Sequence, residues 1–138
     1  MRVQDIMSAN PTCCAPISTI EEAARLIVDN DCGEIPVVDA ARKPLGVITD
    51  RDIACRVVAR GKGPSTAVQE AMSTPPITVT PETSIEDCCR VMEDNRIRRV
   101  PVVDGEGTCC GIVAQADLAR RGSQQMAGEP VRDVSAPR

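Results

Sequence analysis

Residues 35–52 read IPVVDAARKPLGVITDRD, and residues 100–117 read VPVVDGEGTCCGIVAQAD. The two stretches lie at a constant offset of 65 residues, which sets Pro36-Val37-Val38-Asp39 on Pro101-Val102-Val103-Asp104, Gly46 on Gly111 and Asp52 on Asp117. Working outward without a gap, Ile20-Glu21 meets Ile85-Glu86, Arg25 meets Arg90 and Asp29-Asn30 meets Asp94-Asn95. Val3-Gln4 likewise meets Val68-Gln69, Met7-Ser8 meets Met72-Ser73, Pro16 meets Pro81, and Ala54 meets Ala119. Matches spread along nearly the whole of each half are the signature of a duplication.

Each copy reads the same way locally. Ser18 or Thr19 is placed to cap a helix with an acidic first turn, and Ile20, Ala23, Ala24, Ile27 and Val28 follow at helical spacing. The helix is predicted to end near Asn30 to Gly33, where Asn or Gly accepts a left-handed backbone. Ile35 to Val38 and Leu45 to Ile48 are β-branched runs that pair as a hairpin across a turn containing Asp39, with Asp104 as its counterpart. With Asp50 as a cap, Ile53 to Ala59 reads as a second helix, closed by the Gly61-Lys62-Gly63-Pro64-Ser65 linker. A short leading strand is expected around Thr12 to Ala15 and Ile77 to Thr80. The order is β-α-β-β-α, in the α+β class, and a unit this small cannot cover its own apolar face. Two copies packed sheet to sheet solve that problem. The expected division is 1–63 for the first repeat, 64–122 for the second and 123–138 for a weakly patterned tail rich in Gly, Ser, Gln and Pro.

Composition bounds the chemistry. The 138 residues contain no histidine and no Phe, Tyr or Trp, so His-based acid–base or nucleophilic catalysis and His-ligated zinc are excluded. Aromatic platforms for stacking nucleobases are missing too, and a net charge of −4 opposes attraction to nucleic acid or anionic membranes. No stretch of about 18 apolar residues is present to span a bilayer, and the opening residues lack a signal-peptide run. The expected location is the cytoplasm, where the eight cysteines are reduced and serve chiefly as small buried hydrophobes. Six of them form the adjacent pairs Cys13-Cys14, Cys88-Cys89 and Cys109-Cys110, and no CxxC occurs. No GxxxxGK[ST] phosphate loop or other catalytic constellation is present, so the chain is not read as an enzyme.

IPVVD followed by GVITDRDI, and RVPVVD followed by GIVAQADLA, resemble a tandem pair of CBS domains, the arrangement called a Bateman module, over residues 1 to 122. The proportions are similar to bacterial proteins that contain little besides the pair. The resemblance implies a pseudo-twofold axis between the repeats, two clefts for adenosine-containing ligands, and a homodimer of modules that signals to a regulated protein yet unknown. AMP, ADP, ATP, NAD and S-adenosylmethionine are the candidate ligands, with no obligatory cofactor.

Carried onto this sequence, the resemblance gives Thr49 the phosphate- or ribose-facing hydroxyl, Asp52 the ribose-binding carboxylate and Arg51 a reach toward phosphate, with Ile35 and Pro36 flanking the base. In the second repeat Asp117 keeps the carboxylate, and Val100 and Pro101 form apolar walls. Ala114 stands where the pattern has Thr or Ser, and Ala116 where the first repeat has Arg51, so unequal clefts are expected. Arg98 and Arg99 precede the second PVV strand and suit a phosphate anchor, whereas their counterparts are Gly33 and Glu34. Each residue also has a plainer reading. Asp52 and Asp117 suit helix caps, Pro36 and Pro101 strand entry, and Arg98 and Arg99 a solvated surface. Alternatives to a nucleotide sensor are a thiol-based redox or metal sensor and an assembly subunit with empty clefts.

Overall fold

In the computed structural model, residues 1–120 are described, and the weakly patterned tail at 123–138 lies outside them. The long helix of each repeat starts where its cap stands. Thr19 Oγ1 accepts the Glu22 N–H at 3.1 Å to open α1 (Ile20–Asp29), and Ser84 Oγ accepts the Asp87 N–H at 3.1 Å to open α3 (Ile85–Asn95). The helix ends depart from expectation in one respect. Asn30 keeps a negative φ of −100°, and the left-handed residues are Asp31 and its counterpart Arg96, at φ 49° and 54°. Asn30 and Asn95 instead turn their side-chain amides back, each donating at 2.8 Å to the carbonyl four residues earlier. Val28, one step of about 100° round from the inward Ile27, is 76% exposed and does not join the buried stripe.

Both hairpins form in the anticipated places. β2 (Glu34–Val38) pairs antiparallel with β3 (Pro44–Thr49), and β4 (Arg99–Val103) with β5 (Cys109–Ala114), each ladder slipping register between its last two valines. Asp39 and Asp104 hold the turns identically: Asp39 Oδ1 accepts from Ala41 and Lys43, and Asp104 Oδ1 from Glu106 and Thr108, all between 2.9 and 3.0 Å. α2 (Asp50–Arg56) begins three residues before the predicted Ile53 and stops at Arg56, passing into a 3-10 turn at Val58–Arg60. Its cap is Thr49, not Asp50. Residues 115–120 form the matching helix, α4.

The leading strands shrink to single parallel bridges, Cys14 to Val37 and Val79 to Val102. Flanking prolines at 11, 16, 75, 76 and 81 remove the N–H groups that a longer ladder needs.

A feature absent from the sequence-based picture is that the segment leading into each repeat packs on the other repeat. Val3 N–H donates to Thr83 O at 2.9 Å and Gln4 N–H to Pro81 O at 3.0 Å; 65 residues on, Val68 N–H donates to Ser18 O at 2.8 Å and Gln69 N–H to Pro16 O at 3.0 Å. β1 (Ser8–Ala9) accordingly adds to β5, making a three-stranded sheet in the order β1-β5-β4, and Ser73 bridges Val47 in the same way beside the two-stranded sheet. Gly46 and Gly111 permit these crossings, since an added Cβ would lie 2.6 Å from Ser73 O and from Met7 Sδ respectively. Val3 is buried with Val79, Cys88, Met92, Val100, Val102 and Val113, while Val68 and Ala71 are buried with Ile20, Ile35, Val37 and Ile48. The adjacent cysteines divide as their geometry requires: Cys14, Cys88 and Cys109 are buried, and Cys13, Cys89 and Cys110 only partly so.

Candidate functional site

Two clefts flank the meeting line of the hairpins. The larger, of about 630 Å³, is built where β3 passes into α2. There the Thr49 hydroxyl accepts the Asp52 N–H at 3.0 Å while Asp52 Oδ2 accepts the Thr49 N–H at 3.1 Å, a reciprocal cap that fixes both side chains at the helix start. Asp52 is 8% exposed, and its carboxylate also accepts from Ser73 Oγ, 3.0 Å from Oδ1 and 3.2 Å from Oδ2. Ser73 arrives from the exchanged segment. The opposite wall is the stretch leading into β4, which presents Arg96 and Arg98 together with Arg99 at the start of the strand, and Arg51 lies on the α2 side. The cleft thus sets an acidic, hydroxyl-lined floor against a guanidinium-rich wall, which is suited to a ligand carrying both a diol and a phosphate.

The smaller cleft, of about 200 Å³, contains Asp117 and Ala114 together with Ile35 and Pro36. This corrects the grouping expected for the apolar walls: Ile35 and Pro36 line the cleft of Asp117, not that of Thr49 and Asp52, because the start of β2 faces the junction of β5 and α4. Val100 and Pro101 are fully buried and line neither cleft; Val100 belongs to the second core. Ile97 takes the apolar position in the larger cleft instead. The anticipated inequality is present in the side chains. Asp117 Oδ2 still accepts the Ala114 N–H at 3.1 Å, but Ala114 has no hydroxyl to return the bond, and Asp117 Oδ1 is paired with Arg120. Asp117 is also less deeply covered than Asp52, with 16% of its side chain exposed against 10%.

Glu34 and Arg99 occupy equivalent positions in the two repeats and line both clefts. Glu34 is 6% exposed and its Oε2 has no hydrogen-bond partner. Burial raises its carboxyl to about 8; the Arg99 guanidinium opposes that shift and the Asp52 carboxylate adds to it. Arg99 lies over Gly33, where a Cβ would come within 2.6 Å of Nη1, so the absence of a side chain there makes room for the guanidinium.

Sequence reasoning missed Ser73, Arg96 and Glu34 as cleft residues. Ser73 was visible as one of the offset matches, and Arg96 as part of the basic run NRIRR at 95–99. Nothing local marks Glu34, because its burial comes from the opposite repeat. Among the described residues, no group of three or more Cys, Asp or Glu side chains is placed to hold a metal ion, and no helix is long and apolar enough to cross a membrane.

A family model for the CBS domain matches residues 3–58 and again 68–123. The CBS domain-containing protein YhcV of Bacillus subtilis is 40% identical over 134 residues, covering 96% of this chain and 94% of that protein. The CBS domain pair of protein MJ0100, solved in complex with 5′-methylthioadenosine and S-adenosyl-L-methionine, superposes with a TM-score of 0.83 at 29% identity, covering 91% of this chain and 98% of that one. CBSX2 in complex with AMP superposes with a TM-score of 0.79 at 25% identity, again covering 91% and 98%. With its two matched copies, exchanged lead segments and paired clefts, the chain belongs to the CBS-domain family as a tandem pair.

Proposed function

We propose that the protein is a non-catalytic regulatory module that binds an adenine nucleotide in the larger cleft and conveys occupancy to a partner protein through the geometry of a homodimer. The observation that carries this reading is the placement of a buried, capped carboxylate, Asp52, opposite Arg96, Arg98 and Arg99. Asp52 accepts the two ribose hydroxyls, displacing the Ser73 hydroxyl that now satisfies it, and Thr49 and the arginines face the phosphate. Ile97 and Val47 supply the apolar contact for the base, since no aromatic side chain exists to stack on it. AMP, ADP, ATP, NAD and S-adenosylmethionine are the candidates, and AMP and S-adenosyl-L-methionine are bound by the similar proteins named above. The smaller cleft, with about a third of the volume, Ala114 in place of Thr49 and Arg99 as its one arginine, binds more weakly or not at all. Occupancy changes signalling only if the two dimer geometries differ in affinity for the ligand.

Calorimetry with AMP, ATP, NAD and S-adenosylmethionine tests the proposal, comparing wild type with Asp52→Ala and Asp117→Ala. Micromolar binding lost in Asp52→Ala and kept in Asp117→Ala is the expected result. A folded chain that takes up none of the four ligands overturns it.

A further inference from the structure

Away from both carboxylates, a thiol pair spans the two repeats. Cys13 lies in the lead to α1, Cys109 begins β5 of the second repeat, and Arg42, in the β2–β3 turn, touches both. Arg42 Nη2 lies 3.7 Å from Cys13 Sγ, and the Arg42 carbonyl accepts the Cys109 N–H at 2.9 Å. The Cys109 thiol is shared between the neighbouring Cys13 sulfur and Gly111 O, 3.8 Å away, and the Cys13 thiol reaches Pro11 O at 3.4 Å. Arg42 holds this position with a φ of 63°, a left-handed backbone that a residue other than glycine adopts only at a cost. At the matching places in the other repeat stand Thr78, Pro44 and Gly107, with neither thiol nor cation. The arrangement therefore belongs to one side of the duplication and is not required by the fold.

The two sulfurs differ in chemistry. The hydrogen bond from Cys109 draws the Cys13 thiol down to about 7, against the opposing effect of burial and with help from the Arg42 charge, while the same bond and burial push Cys109 up. Cys13 is partly exposed and Cys109 is buried. One is a partly exposed thiol that ionises near neutrality and the other a buried, protonated neighbour, which suits an attacking and a resolving cysteine.

We propose that Cys13 and Cys109 form a peroxide-sensitive dithiol whose oxidation ties the two repeats together. The Cys13 thiolate attacks a hydroperoxide O–O bond, taking one oxygen as a sulfenic acid and releasing water, or an alcohol from an organic hydroperoxide, once the leaving oxygen is protonated. The Cys109 sulfur then displaces hydroxide from the sulfenyl sulfur, its thiol proton leaving with that hydroxide as a second water. With hydrogen peroxide, two thiols and one peroxide become one disulfide and two waters. The bond would anchor the chain just after Pro11 and Thr12, which line the smaller cleft, to the strand that ends at Ala114 in the same cleft. Thiol state would then bear on that cleft independently of whether the larger one binds a nucleotide.

The test treats the reduced full-length chain with hydrogen peroxide at one equivalent and maps the thiols by digestion and mass spectrometry. The expected product is a peptide pair joining Cys13 to Cys109 with the loss of two hydrogens. In Cys109→Ala the reaction stops at a Cys13 sulfenic acid that dimedone captures. Arg42→Gly places glycine in the left-handed turn, as in the other repeat, and removes the guanidinium, so the fold is retained while Cys13 oxidation slows. At pH 7 a thiol near 7 holds roughly fiftyfold more thiolate than one at 9, but a less basic thiolate is less nucleophilic. The net advantage of Cys13 is about fivefold over a thiol at the usual value. A folded wild-type chain in which Cys13 is oxidised no faster than the exposed Cys55, or pairs with another cysteine, overturns the proposal.

Discussion

The two clefts share a helix-start backbone, a carboxylate, a serine and the Glu34–Arg99 pair, and differ in the charged and hydroxyl groups set round them. In both, a carboxylate at the third helical position accepts the N–H three residues before it at 3.1 Å, so the helix start is preserved. What changes is part of what is added to that frame. The larger cleft has Thr49 and Arg51 where the second repeat has Ala114 and Ala116, while a serine, Ser73 or Ser8, lines each. The stretch before the strand reads Arg96, Ile97, Arg98, Arg99 in one repeat and Asp31, Cys32, Gly33, Glu34 in the other, so three arginines oppose two acids and a glycine. A duplication can thus keep its folding contacts while concentrating its guanidinium groups on one side, with Arg99 alone of the three also reaching the smaller cleft, because caps use backbone N–H groups and recognition uses side chains.

The contrast between Glu34 and Arg99 can be broken most forcefully. The Glu34 carboxyl sits near 8 in the folded protein against 4.5 as an ordinary glutamate, so the folded state holds the proton more tightly. The contribution of Glu34 to stability falls as pH rises from about 4.5 to about 8 and is constant outside that window, because in both states this carboxyl is protonated below it and ionised above it. Glu34→Gln removes this slope, and at pH 9 it is more stable than wild type by on the order of 4 kcal/mol at the upper limit. Urea denaturation at pH 5 and pH 9 measures it, and parallel wild-type and variant curves would sink the assignment.

Next in size is the arginine wall. Replacing Arg98 and Arg99 together by alanine weakens AMP and ATP roughly tenfold and leaves adenosine nearly unchanged, since the lost contacts are charge-assisted ones to phosphate. Equal losses for all three ligands in calorimetry would show that the wall shapes the cleft and does not read phosphate. A smaller effect separates the caps. Thr49→Ala lowers stability by about 1 kcal/mol through loss of the hydroxyl cap, and thermal unfolding monitors it. Smallest is the reverse exchange, in which Ala114→Thr completes the reciprocal cap and raises stability by about 0.5 kcal/mol. If Ala114→Thr also brings measurable nucleotide binding to the smaller cleft, the hydroxyl alone separates the two sites.

Which parts of this were legible follows from the range of the forces involved. The α1 and α3 caps and the Asp39 and Asp104 turns are set by residues within four positions of one another, and the hairpins by partners no more than 15 apart around those turns, so the sequence displays them directly. The cap of α2 was misplaced by one residue, since Thr49 and Asp50 both suit the role and only the reciprocal bond with Asp52 decides between them. The apolar walls were assigned to the wrong clefts because the facing of Ile35 and Pro36 depends on which repeat completes each cleft. Glu34 and the Cys13–Cys109 contact depend wholly on residues from the other half, for which no local pattern exists.

The exchange of lead segments has a consequence for the history and expression of such chains. Cut between residues 60 and 66, each half would keep its own hairpin but lose the strand of chain that fills its core, Val68 in one case and Val3 in the other. A single-copy ancestor would have met that need by trading arms with a twin molecule, as swapped pairs do. Joining two copies in one reading frame turns that encounter into a first-order event, with the linker setting a local concentration in place of the cell's. Mixed expression of the separated halves should therefore recover a folded pair only above a threshold protein concentration.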